Sequence, residues 1–220
     1  MKLFFLNYEY IDQIFRYSAY FGLFDLCAPK SGEVVVVTGA GGAVGSLVGQ
    51  LAKIKGCTVI GFAGDDEKIQ WLKELGFDYA FNYKTTDATK ELKLAAPNGV
   101  DCYFDNVGGE LSSQIIEQMR DFGRISVCGA ISAYNLLPEQ MSKAKIVEPS
   151  FVTKQLKMEG FQIVRYTERF DEAFTELKKW LDEGKLKYRE TITEGFEKLP
   201  EAFIGMLIGK NIGKAIIKNI

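Results

Sequence analysis

The stretch that decides the fold is Glu33-Val-Val-Val-Val-Thr-Gly-Ala-Gly-Gly-Ala-Val-Gly-Ser46. Val34 to Val37 are a continuous β-branched run bounded by Gly32 and Gly39. A run with no polar alternation reads as a strand buried on both faces, hence one in a parallel sheet. Four glycines then fall within the seven residues 39–45. A helix over 46–55 is expected next, with Leu47, Val48, Leu51 and Ile54 on one side and Gly56 closing it. Strand, glycine turn and helix is the arrangement that presents backbone N–H groups and a helix N-terminus to a phosphate. The spacing is Ala40-x-Gly42-x-x-Gly45 rather than a literal GxGxxG. Gly42 lets a pyrophosphate approach the backbone and Gly45 lets the helix pack on the strand. An ordinary strand-to-helix turn explains a lone match equally well; the elements that follow favour dinucleotide binding.

Working outward, further strands are read at 57–62, 79–82, 100–105, 123–128 and 160–164. The helices between them are read at about 65–75, 85–96, 111–119 and 171–183. Residues 19–27 read as a short helix stopped by Pro29, and a long irregular segment runs through Pro138 and Pro149. Six strands alternating with helices predict an α/β fold, a doubly wound parallel Rossmann sheet in the order 3-2-1-4-5-6. The crevice then lies at the carboxyl ends of strands one and four, facing Gly39–Gly45 and Asn106–Gly109. After Gly184 the rhythm changes, with strands expected at 187–192 and 214–220 and an amphipathic helix at 199–208. The domains read as a 1–17 extension, an 18–185 nucleotide-binding domain and a 186–220 return segment.

Composition narrows the chemistry. The 220 residues are 47% hydrophobic, with a formal net charge of -2 and no Lys/Arg tract, so neither nucleic acid nor an anionic membrane is implied. There is no histidine, which removes imidazole from every catalytic or metal-ligand scheme. Cys27, Cys57, Cys102 and Cys128 form no CxxC; they read as free thiols in a reducing cytoplasm, with no zinc site. The apolar start Met1–Leu6 is ended too early by Tyr8, Glu9 and Asp12 to be a signal peptide, and no stretch approaches a transmembrane span.

The end of strand two decides which dinucleotide is expected. NAD-preferring folds place a carboxylate there for the ribose 2′-OH. Here Ala63 is uncharged and Lys68 follows on the next helix, with Tyr83 after strand three. Asp65 and Asp66 argue mildly the other way, and a solvated helix lysine is the plainer account of Lys68. The balance predicts NADPH over NADH.

Taken together, Gly39–Gly45, Gly64–Lys68, Leu75–Asp78, Phe81–Lys84, Asp101–Gly109 and Cys128–Tyr134 resemble the prostaglandin reductases, also called NADP-dependent 2-alkenal reductases. These are zinc-independent medium-chain dehydrogenases/reductases, and the resemblance runs from about Ser18 to Lys218. It implies that Gly42, Ala43, Val44 and Gly45 hold the pyrophosphate of NADP(H), and that Lys68 and Tyr83 bind the 2′-phosphate end. It implies that Asn106 and the segment Cys128, Gly129, Ala130, Ile131, Ser132 to Tyr134 line the ribose and nicotinamide. Phe161, Gln162, Ile163 and Asn211 complete the cofactor site, and Tyr134 is the catalytic hydroxyl near the substrate carbonyl. Otherwise Asn106 reads as a turn former and Tyr134 as a loop aromatic. The implied reaction is NADPH-dependent reduction of the C=C bond of α,β-unsaturated ketones or aldehydes, of the 15-oxoprostaglandin 13-reductase type. A homodimer through the edge strand near Phe161–Val164 is also implied.

One departure accompanies the resemblance. Such reductases begin with a GroES-like domain of about a hundred residues, and Met1–Tyr17 resemble no part of it. The expectation is impaired turnover and a loosely held tail in which Ile192, Ile212, Ile216 and Ile217 lack core partners. Two rivals remain to compare. A short-chain dehydrogenase nearly fits Thr38-Gly39-x-x-x-Ala43-x-Gly45, but no tyrosine has a lysine four residues on. A dinucleotide-binding chain without turnover is the alternative that stands.

Overall fold

The computed structural model describes residues 8–140 and 144–219. Its centre is β1 (Val34–Thr38), in which Val35, Val36 and Val37 have no exposed surface. Val35 and Val37 face one hydrophobic cluster and Val36 the other, the period-two alternation of a strand covered on both sides. Around it stand β2 (Thr58–Ala63), β3 (Tyr79–Asn82), β4 (Val100–Asp105), β5 (Met119–Val127) and β6 (Lys157–Gly160). All pairings are parallel, in the order β3-β2-β1-β4-β5-β6. This is the expected doubly wound sheet, with its switch point between β1 and β4.

Helices α1 (Tyr8–Phe21), α2 (Ala43–Ile54), α3 (Asp66–Glu74), α4 (Ala88–Ala95), α5 (Gly109–Ile116), α6 (Glu148–Lys154) and α7 (Phe170–Asp182) surround it. One cluster joins Phe21, Leu23, Leu51, Phe104, Ala173 and Leu177; the other joins Ile60, Phe62, Leu92, Tyr103, Ile115 and Ile125.

Several boundaries differ from the sequence reading. The helix expected at 19–27 begins eleven residues earlier, at Tyr8, and passes at Gly22–Cys27 into a π-helical turn. The unassigned segment 1–17 is therefore helical from Tyr8, and its residues 1–7 lie outside the described residues. The turn ends at Ala28 in the left-handed region, with Ala28 N–H on the Leu23 carbonyl at 2.8 Å. Arg124 fixes this end, donating Nε to Cys27 O at 2.9 Å and Nη2 to Ala28 O at 3.2 Å while pairing with Glu33.

Strand six is Lys157–Gly160, not Gly160–Val164. Phe161 turns inward over Gly22, where a Cβ would stand 2.7 Å from its ring, and Ile163–Arg169 coil into a 3-10 helix. The irregular segment around Pro149 contains α6, with the proline in its first turn, where a missing N–H costs nothing.

The tail strands also move. β7 (Glu190–Glu194) and β8 (Lys214–Lys218), linked through α8 (Leu199–Leu207), pair with each other in parallel, Ile192 opposite Ile216. Ile212 is buried in the main core, contrary to the expectation that it loses its partners, whereas Ile192 is half exposed.

Candidate functional site

The crevice lies where β1 and β4 end. Gly42 caps α2 with an extended backbone, φ -87° and ψ 177°. Ala43, Val44 and Gly45 form the first helical turn, three residues earlier than expected. Their N–H groups precede any intrahelical acceptor and point out of the helix end. A Cβ built on Gly42 meets only the Gly39 carbonyl, at 3.4 Å, so this face of the turn is open to a ligand. A Cβ on Gly45 would stand 2.5 Å from the same carbonyl and 2.7 Å from Ala40 Cα, so Gly45 brings helix and turn into contact.

Lys68 is buried rather than free on its helix. Its chain crosses Gly41, where a Cβ would be 2.8 Å away, and its Nζ donates to the Gly209 carbonyl at 2.6 Å. Burial, opposed by Asp65 and reinforced by the Lys84 charge, pulls its ammonium below the usual lysine range. Asp65 caps α3 through Glu67 N–H at 2.9 Å, and Asp66 accepts from Asn82 Nδ2 at 2.7 Å. Each acid thus accepts a hydrogen bond within the protein. The Tyr83 hydroxyl and Lys84 Cε converge over Gly64, 2.8 and 3.0 Å from a Cβ placed there. Lys84 was not among the expected site residues; its signal was its place directly after Tyr83.

Across the crevice, Asn106 Nδ2 donates to Thr38 O at 2.7 Å. The loop 128–134 is stitched to it: Ile131 N–H donates to Asn106 O at 3.2 Å, and Ser132 Oγ donates to Val107 O at 2.6 Å. Gly129 adjoins Tyr134, whose phenolic oxygen accepts from Ala130 N–H at 3.1 Å. The oxygen is the acceptor in that bond, so the O–H proton is left to donate outward. Tyr134 is 61% exposed. Burial, with Asp105 adding to it, pushes the half-buried Cys128 thiol up to about 11.

Phe161 and Ile163 point into the core, which leaves exposed Gln162 and the backbone of that segment for a ligand. Asn211 Nδ2 donates to Gly213 O at 2.7 Å. Gly213 N–H in turn donates to Gly41 O at 2.8 Å, seating the tail on the glycine turn. Gly213 has φ 65°, and a Cβ there would fall 1.9 Å from Arg189 O, so glycine alone fits. Among the described residues no group of three acidic, cysteine or histidine side chains is placed to hold a metal, and no helix is long and apolar enough to cross a membrane.

Comparison with known proteins agrees with this fold. Residues 43–179 match the family described as zinc-binding dehydrogenase. The chain is 55% identical over 206 residues to prostaglandin reductase 1 of Rattus norvegicus, spanning 91% of this chain and 61% of that protein. It is 44% identical over 203 residues to (+)-pulegone reductase of Mentha piperita, spanning 91% and 58%. The crystal structure of CurA in complex with NADPH from Vibrio vulnificus superposes with a TM-score of 0.86 at 41% identity, over 93% of this chain and 62% of that one. The chain thus spans about three fifths of the length of these relatives.

Proposed function

The chain belongs to the zinc-binding dehydrogenase family, on the zinc-independent branch that the prostaglandin reductases represent, and from that premise we propose that it binds NADPH and reduces the C=C bond of α,β-unsaturated ketones and aldehydes. The observation that carries this reading is the α2 N-terminus: an extended, sterically open Gly42 followed by three outward N–H groups fits a pyrophosphate. The relatives' names and the NADPH held by CurA support it.

When bound, NADPH would supply the hydride for the β-carbon of the enone, and water would supply the proton for the α-carbon. The protein holds the reactants and manages charge. Gly42 leaves room for the pyrophosphate and the Ala43, Val44 and Gly45 amides would hold it, while Tyr83 and Lys84, with Lys68 beside them, would take the 2′-phosphate end. Asn106 and the Cys128–Tyr134 loop line the nicotinamide half. As charge develops on the carbonyl oxygen, the outward O–H of Tyr134 donates to it. Its oxygen already accepts from Ala130 N–H, which polarises the hydroxyl further. Cys128 stays a thiol at neutral pH, with its pKa near 11. Its sulfur is therefore not available as a thiolate to attack an electrophilic enone.

The reading includes a cytoplasmic location, consistent with four free thiols, and a two-fold dimer, its edge moved from the expected Phe161–Val164, which turns inward and coils, to the open edge of β6. Light scattering that gives a monomer at micromolar concentration removes the dimer. A second reading, NADPH binding without turnover, is favoured by one observation: Tyr134 is 61% exposed, and an open site orients substrate poorly. Calorimetric titration with NADPH beside NADPH oxidation with a simple enone separates the two. Binding with turnover supports the reductase, binding alone the second reading, and no NADPH binding overturns both.

A further inference from the structure

Asp105, the last residue of β4, is 2% exposed, and four donors converge on its carboxylate. Thr38 Oγ1 at 3.0 Å, Val107 N–H at 2.9 Å and Gly108 N–H at 2.9 Å donate to Oδ1. Ser112 Oγ donates to Oδ2 at 2.8 Å. The main-chain carbonyl of the same residue accepts from Cys128 N–H at 2.8 Å and Gly129 N–H at 3.2 Å. One residue therefore ties together the end of β1, the loop after β4, the first turn of α5 and the loop after β5.

The network closes on itself. Because the Thr38 hydroxyl gives its single proton to Asp105, its oxygen accepts from Asn106 N–H at 3.2 Å and from the Tyr103 hydroxyl at 3.3 Å. No cation pairs with Asp105 among the described residues. A carboxylate buried without a counter-ion is costly unless its lone pairs are filled. The loops must therefore take this arrangement together or lose it together. The side-chain bonds run to β1's end and to the loop and helix after β4, bordering the crevice. None reaches Gly64, Tyr83 or Lys84 at its other end.

We propose that Asp105 is a positioning residue for the nicotinamide half of the site. It holds Asn106 and the Cys128–Tyr134 loop in their binding geometry before the cofactor arrives, so that little ordering is left to be done on binding. This rests on the NADPH reading above. Three of the four side-chain bonds go to one oxygen, Oδ1. An amide in the same place keeps that oxygen and offers an N–H to Ser112, so geometry predicts that asparagine restores much of what alanine removes.

The test is calorimetric titration of the parent chain, Asp105→Ala and Asp105→Asn with two probes: NADPH, and adenosine 2′,5′-bisphosphate, which carries only the adenosine end. Asp105→Ala is expected to weaken NADPH by about ten-fold or more, the scale of one lost charged hydrogen bond. The bisphosphate should change by less than about two-fold, and Asp105→Asn should recover most of the NADPH affinity. If Asp105→Ala does not fold, Thr38→Val, which removes one donor to Asp105 and the acceptor of Asn106 N–H and the Tyr103 hydroxyl with little change of shape, carries the same selective expectation. Unchanged NADPH affinity, parallel loss of both probes, or asparagine as poor as alanine overturns the assignment while leaving the NADPH reading intact. A parent chain that binds neither probe overturns the NADPH reading and this inference with it.

Discussion

Replacing Gly45 and Gly42 separately should divide the glycine turn into a part that holds the fold and a part that holds the ligand. In Gly45→Ala the new methyl would sit 2.5 Å from Gly39 O and 2.7 Å from Ala40 Cα. The first of these is about 0.9 Å inside the 3.4 Å at which ordinary contact begins. Both atoms are backbone, so no side-chain rotation relieves the overlap; helix and turn must separate. Overpacking of this kind costs about 1–3 kcal/mol, and the rigid neighbours put it near the top of that range. Alanine recovers up to about 1 kcal/mol of helix propensity, leaving a net loss of about 2 kcal/mol. For a chain of this size that is a fall in Tm of about 4–8 °C. In Gly42→Ala the nearest contact is 3.4 Å and φ is already -87°, so only the poorer N-cap counts, at less than about 1 kcal/mol. Its methyl instead occupies the approach to the α2 amides and should weaken NADPH by about ten-fold or more. Differential scanning fluorimetry with NADPH titration reads both quantities. A Gly45→Ala protein that melts at or above the parent, or a Gly42→Ala protein that binds NADPH as tightly, refutes the division.

Lys84→Ala should weaken NADPH by about 1–3 kcal/mol and barely change NADH, by titration of each cofactor. Lys68→Ala should weaken NADPH on the same scale and also loosen the tail, visible as faster hydrogen exchange at residues 209–213. Elemental analysis after dialysis should find well under one zinc per chain, the stoichiometry of a structural site. Arg124→Ala should cost about 1.5–3 kcal/mol in urea unfolding, because the π-helical turn loses both carbonyl anchors and Glu33 loses its partner. Burial raises the Cys57 and Cys128 thiols from 9.0 to about 11 in the fold. Their contribution to stability is full below pH 9 and lost as pH rises through about 11. Urea midpoints should fall across that window, and fall less in Cys57→Ala/Cys128→Ala.

The valine run and the glycine cluster carried most of the fold, because a strand buried on both faces has no polar residue to hide its pattern. The edge was harder to read. β6, Lys157–Gly160, is polar because only part of it is covered. The apolar Phe161 and Ile163 beside it imitate a strand while turning into the core. The segment through Pro149 read as irregular although a helix accepts proline in its first turn. In the site, the sequence expectation named Tyr83 but passed over Lys84 beside it, because only the fold brings both side chains over Gly64. Asp105 stood inside a recognisable motif, but its part depends on a Thr38 bond across 67 residues of sequence, which no local pattern records.

The seat of the tail on the glycine turn also sets an order of events during synthesis. Gln50 waits 137 residues for the Lys187 carbonyl, and Lys68 waits 141 residues for that of Gly209. A nascent chain can therefore assemble its parallel sheet while the turn that defines it is still missing a wall. Until Gly213 leaves the ribosome and reaches Gly41, Lys68 is an ammonium without its carbonyl and the turn lacks its outer hydrogen bond. The glycine turn is thus completed only by a segment that follows it far along the chain.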